Sequence, residues 1–202
     1  MDVDDRDDLQ STYRPEHSLV EARPRHGTAL CLSGGGFRAA LFHLGAVRRL
    51  NELGVLSGLD AISSVSGGSI LSAHLLQRMR PRPAPGTAVD AATWEREVAE
   101  PFRRFTRQDL RTGPVARAWL LPWNWIRRDS AVRGLAAAYR RRLTGLRLTE
   151  LPERPRFIFC ATDMQFGVNW VFEKRGIGDY QAGWMTPVPP WRVADAVAAS
   201  SC

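Results

Sequence analysis

The chain has 202 residues, enough for one domain with a sizeable core. Apolar residues make up 44% and charged residues 24%, which excludes a disordered or fibrous chain, and the net charge of +7 comes from an excess of arginine. No run approaches eighteen apolar residues, so no membrane span is expected. Residues 1–26 are polar and aspartate-rich and lack the basic-then-apolar order of a signal peptide, which predicts a flexible leader. Residues 27–202 are read as one domain.

The first ordered element is a strand over Thr28–Leu32, apolar enough to be covered on both faces. Ser33-Gly34-Gly35-Gly36 breaks it. A helix over Phe37–Leu53 follows, with an apolar stripe of Leu41, Leu44, Val47 (or Leu50) and Leu53, and Gly54 stops it. A second strand over Ala61–Val65 ends at Ser66. A second helix runs over Gly68–Met79 and ends at the prolines that follow. Strand, glycine turn, helix, strand, serine-glycine turn, helix is the order of a parallel sheet with helical crossovers. Residues 91–143 read as broken helix. They carry twelve arginines between Arg96 and Arg142, and the run VARAWLLPWNWIRR suits either packing on the domain or contact with a membrane interface. No recognised module frames these arginines as a nucleic-acid surface. Residues 157–161 and 168–173 read as an antiparallel hairpin, and a short helix closes the chain.

Cys31 and Cys160 lie in apolar runs and are read as small hydrophobes. No cysteine pair has zinc-site spacing, so no metal is expected, and the sparse cysteines fit a reducing, cytoplasmic compartment.

Two stretches carry chemistry. In Ser64-Val65-Ser66-Gly67-Gly68, Ser66 closes a strand and opens a helix, the place of a nucleophile elbow. The usual elbow begins with glycine, where this chain has Ser64. A serine beside two glycines also suits an ordinary turn. Thirty residues upstream, Gly34-Gly35-Gly36-Phe37-Arg38 can expose several backbone N–H groups in one concavity, which suits a developing oxyanion or a phosphate. The lysine of a phosphate-binding loop is missing, and Glu52 and Asp60 are imperfect acids for a dinucleotide fingerprint. A nucleotide-binding α/β domain stays open as the alternative.

GGGFRA at 34–39 with SVSGG at 64–68 resembles the patatin-like phospholipase family. The later hairpin and the run RVADAVAASS at 192–201 extend the likeness over residues 26–202. The resemblance implies an α/β fold with a parallel-rich central sheet and helices on both faces. It also implies a serine acyl hydrolase acting on lipid or phospholipid esters without a cofactor. Ser66 would be the nucleophile of a Ser-Asp dyad. Gly34, Gly35 and Gly36 would form the oxyanion hole. Arg38, Ser64, Gly67 and Gly68 would support them, with Ala39 where the family commonly has glycine. The implied partners are an acyl ester or phospholipid and, peripherally, an anionic membrane.

The family's catalytic aspartate sits in an Asp-Gly-Gly or Asp-Gly-Ala motif, and this chain contains neither. Asp60, Asp163, Asp179 and Asp195 do not match it. His17 and His26 belong to the leader, while His43 and His74 lie within helices. A truncated domain is therefore expected, inactive or weakly active by itself. A catalytically inactive lipid- or protein-binding fragment is the other non-enzyme alternative.

Overall fold

A computed structural model describes residues 26–79, 83–108 and 130–201. The expected leader and the tryptophan-rich run at 115–128 lie outside the described residues. Six strands form one sheet in sequence order: β1 (Ala29–Leu32), β2 (Ala61–Val65), β3 (Arg156–Asp163), β4 (Val168–Phe172), β5 (Ile177–Asp179) and β6 (Gly183–Met185). β1, β2 and β3 pair in parallel, and β3 to β6 pair antiparallel. The α/β class expected from the sequence is the one found, with a mixed sheet. The short strands β5 and β6 were not legible, because three residues each are too few to show a period.

Helix α1 (Gly36–Glu52) connects β1 to β2, and α2 (Gly67–Arg78) leaves β2. Helix α3 (Ala91–Trp94) continues through a π-helical turn (Glu95–Ala99) into α4 (Glu100–Thr106). Asp90 starts it, its Oδ1 accepting from the N–H groups of Ala92 and Thr93. Helix α5 (Ser130–Arg142) returns the chain to β3, and α6 (Val193–Ser201) follows β6. Because β1, β2 and β3 lie in sequence order, right-handed crossovers put their connections on one face of the sheet. There α1 packs on α2, and α6 packs on α2, α5 and β3.

That face buries Leu32, Ile62, Ser64, Phe157 and Phe159. On the opposite face Ala29 and Cys31 are exposed and Ser63 is half-buried. The strand expected to be covered on both faces is therefore covered on one, and Cys31 is exposed while Cys160 is buried. The stripe of α1 is also rotated from the one read in the sequence. Ala40, His43, Leu44, Val47 and Asn51 are buried, while Leu41 and Leu53 are exposed. The polar Asn51 and His43 hid this face from a hydrophobicity pattern. Asn51 is satisfied by Val89, donating to its carbonyl at 2.7 Å and accepting from its N–H at 3.0 Å.

The helical layer closes around Trp94, Phe102, Phe105 and Tyr139. His74 of α2 lies inside it. Its ring is 4.9 Å from that of Phe102, and its Nε2 is 2.8 Å from the carbonyl of Val98. A carbonyl only accepts, so Nε2 carries the proton. Burial lowers the His74 pKa from 6.5 to about 4 despite this hydrogen bond. The unfolded chain therefore takes up a proton between pH 6.5 and 4 that the folded chain refuses. The stability this group contributes is present above pH 6.5 and falls with acidification, by up to about 1.4 kcal/mol per pH unit. Denaturant titrations of wild type and His74→Gln between pH 7 and 4 check this. The wild type is expected to lose about 1–3 kcal/mol more than the variant over that window.

Candidate functional site

The parallel strands β1, β2 and β3 end on the same side of the sheet, and Ser66 stands there, between β2 and α2. Its backbone has φ 51° and ψ −115°. Among the described residues it is the one non-glycine residue with positive φ. Such a conformation costs on the order of 1–3 kcal/mol and persists only where its surroundings over-determine it.

The surroundings are two close approaches. A Cβ on Gly67 would overlap the carbonyl oxygen of Gly36, and a Cβ on Gly68 would overlap that of Leu32. The start of α2 thus lies directly against the loop leaving β1. The N–H of Gly68 donates to the carbonyl of Ser33 at 3.2 Å, joining the two turns. His43 Nε2 donates to the same carbonyl at 3.1 Å and lies 3.2 Å from Ser33 Oγ. His43 thus holds the entrance of the glycine loop, and it forms no hydrogen bond with Ser66.

The glycine loop itself bends through φ 130° at Gly35 and φ 64° at Gly36. Gly34 lies beside the serine: a Cβ there would be 3.2 Å from Ser66 Cβ and 3.9 Å from Ser66 Oγ. A Cβ on Gly35 would be 3.0 Å from that of Ala39, so the Ala39 methyl fills the space behind the loop. The N–H groups of the first turn of α1 have no intrahelical partner, and no side chain caps them. Helix N-termini of this kind favour negative charge. Arg38 is exposed on that turn.

A serine network underlies Ser66. The Ser66 N–H donates to Ser200 Oγ of α6 at 2.8 Å. Ser200 Oγ donates to the carbonyl of Cys160 on β3 at 2.6 Å and lies 2.9 Å from Ser69 Oγ. Ser69 Oγ donates to Ser64 Oγ at 3.3 Å, and Ser64 Oγ donates to the carbonyl of Ile158 at 3.3 Å. Ser64, Ser69 and Ser200 are all buried. The departure from glycine at position 64 therefore has a local use, since its hydroxyl joins this network. Ser200 was missed as a site residue. The only signal was its place in a run of small residues.

The structure gives Asp60, Asp163, Asp179 and Asp195 other tasks. Asp60 stands at the start of β2, away from Ser66, and accepts from the Thr28 N–H at 2.9 Å. Asp163 closes its own turn by accepting from the Gln165 N–H at 2.7 Å. Asp195 accepts from the Arg192 N–H at 2.8 Å. Asp179 accepts from the N–H groups of Gln181 and Ala182. It lies on β5, three strands from β2, a separation of about 14 Å at the usual strand spacing. Among the described residues none donates to or accepts from Ser66 Oγ. Glu52, weighed as a nucleotide-binding acid, ends α1 in ion pairs with Arg48 and Arg49, about 24 Å of helix away from Gly36. An apolar cavity of about 240 Å³, lined by Leu56, Ile62, Leu75, Leu76, Met79 and Phe157, sits at the other end of β2. It is remote from Ser66.

The patatin-like phospholipase family model matches residues 30–202. The chain belongs to that family. Among solved structures it resembles human GIVD cytosolic phospholipase A2 in complex with methyl gamma-linolenyl fluorophosphonate. That match has a TM-score of 0.54 and 16% identity, and covers 100% of this chain and 34% of the other. A further structure of human GIVD cytosolic phospholipase A2 matches with a TM-score of 0.50 and 16% identity, over 100% of this chain and 32% of the other. The chain thus spans about a third of the length of these structures. No curated protein matches it. At this identity the likeness is one of fold.

The strain and the close approaches predict opposite outcomes at neighbouring positions. Ser66→Gly is expected to be about 1 kcal/mol more stable than Ser66→Ala, strain relief being partly offset by the greater freedom of glycine in the unfolded chain. Gly67→Ala is expected to lose about 3 kcal/mol or more. Urea denaturation of the three variants checks both.

Proposed function

We propose that the chain is the nucleophile-bearing part of a serine acyl hydrolase that acts on lipid or phospholipid esters. The observation that carries this reading is the Ser66 backbone, held at φ 51° at the junction of β2 and α2 with Gly34 against its side chain. Membership of the patatin-like phospholipase family supports a lipid substrate.

In this reading Ser66 Oγ attacks the ester carbonyl. The carbonyl oxygen becomes an oxyanion beside Gly34, Gly35 and Gly36, whose N–H groups stabilise it. The tetrahedral intermediate expels the alcohol, leaving an acyl group on Ser66, and water releases the carboxylic acid. The serine proton needs a base, and Asp60, Asp163, Asp179 and Asp195 have other tasks. We assign the base to the dyad aspartate that the family resemblance implies, whose Asp-Gly-Gly or Asp-Gly-Ala motif this sequence lacks. Without it the serine proton passes to water, and attack by Ser66 is slow.

The proposed partner is a lipid surface. Large apolar side chains are exposed around the serine end of the sheet: Val65 beside Ser66, Phe42 on α1 at 74% exposure, and Met164 and Phe166 in the turn after β3. Patches of this kind mark interaction sites.

Hydrolysis of a short p-nitrophenyl ester by the purified chain tests the assignment. Slow turnover is expected, reduced about tenfold or more by Ser66→Ala. Fast turnover lost on Ser66→Ala would keep the nucleophile and reject the missing base. Turnover indifferent to Ser66→Ala would reject the nucleophile.

A further inference from the structure

We infer that Ser200 is a positioning residue for Ser66, acting as an acceptor that locks the nucleophile's backbone to β3. This rests on the reading of Ser66 as the nucleophile, but its geometry stands independently. Ser66 precedes the first turn of α2, so its N–H belongs to no helix ladder and needs a partner from elsewhere. Ser200 Oγ supplies it at 2.8 Å, from a residue 134 positions away.

The proton count fixes the direction of the network. Ser200 has one hydroxyl proton, and the Cys160 carbonyl at 2.6 Å takes it, since a carbonyl only accepts. Its two lone pairs then face the Ser66 N–H and the Ser69 hydroxyl at 2.9 Å. Ser64 likewise gives its proton to the Ile158 carbonyl, so the single Ser69 proton is shared between two acceptors, Ser200 Oγ at 2.9 Å and Ser64 Oγ at 3.3 Å. The Ser66 amide is thus tied through one buried oxygen to the backbone of β3. β3 pairs with β2 at Val65 and Cys160, the residues adjacent to this bridge. The bridge therefore closes a ring across the two strands at the point where the serine must leave the sheet. A free amide there would let Ser66 relax toward an ordinary backbone conformation and carry its hydroxyl away from Gly34.

Amide hydrogen exchange and ester kinetics on the 202-residue chain test this, with Ser69→Ala as the control that spares the acceptor. In wild type the Ser66 amide is expected to exchange about 100-fold or more slowly than in an unstructured peptide. In Ser200→Ala it is expected to exchange at least tenfold faster than in wild type, while neighbouring β2 amides change little. In Ser69→Ala it stays protected. The Ser66-dependent kcat is expected to fall about tenfold in Ser200→Ala with KM nearly unchanged, because the loss is one of positioning. An unprotected Ser66 amide in wild type overturns the inference even if Ser200→Ala does not fold. An unchanged exchange rate in a folded Ser200→Ala overturns it as well. Absence of any Ser66-dependent turnover in wild type instead removes the nucleophile reading and leaves the amide measurements to judge the bridge.

Discussion

One backbone conformation organises this end of the molecule. Ser66 has positive φ without being glycine, and the chain arranges its neighbours to hold that state. Gly67 and Gly68 have no Cβ because the carbonyls of Gly36 and Leu32 occupy the space. Those two carbonyls flank the loop that leaves β1, one on the last residue of β1 and the other on the first of α1. The same contact that forces the serine turn therefore also brings the glycine loop alongside it. Two turns distant in sequence become one site through backbone packing, and no side-chain interaction is needed to join them.

The rest of the fold supports that contact. Parallel pairing of β1, β2 and β3 aligns the ends of the strands, so the turns after β1 and β2 open on one side. Crossovers on a single face stack α1 on α2 and keep their N-termini together. The Ser33 carbonyl then takes two donors, the Gly68 N–H and His43 Nε2, which ties the start of α2 and the body of α1 to the end of β1. His43 and His74 both serve the framework. One orders a loop, and the other is kept neutral in the core by burial.

Much of this was legible in the sequence because its signals are local. The span of β2 follows directly from the apolar run ending at Ser66, and the serine and glycine turns follow from residue types with few other uses at those places. What stayed hidden depends on contacts between distant segments. The buried face of α1 includes Asn51 and His43, whose partners are Val89 and Ser33, so a pattern of apolar residues points to the wrong stripe. Cys31 sits in an apolar run yet faces the open side of the sheet, which the alternation of four residues was too short to reveal. Ser200 has no signature in its own neighbourhood, since its role exists only when α6 is laid against β2 and β3. Ser64 departs from the expected glycine, and only the Ile158 carbonyl and Ser69 explain why a hydroxyl suits that position.

The account turns on Ser66 as the reactive serine. Incubation of the chain with an alkyl fluorophosphonate, followed by proteolysis and mass spectrometry, locates the adduct directly. The account predicts slow modification confined to the peptide that carries Ser66, and none in Ser66→Ala. Modification spread over other serines, or no adduct on the Ser66 peptide after prolonged exposure, would contradict it.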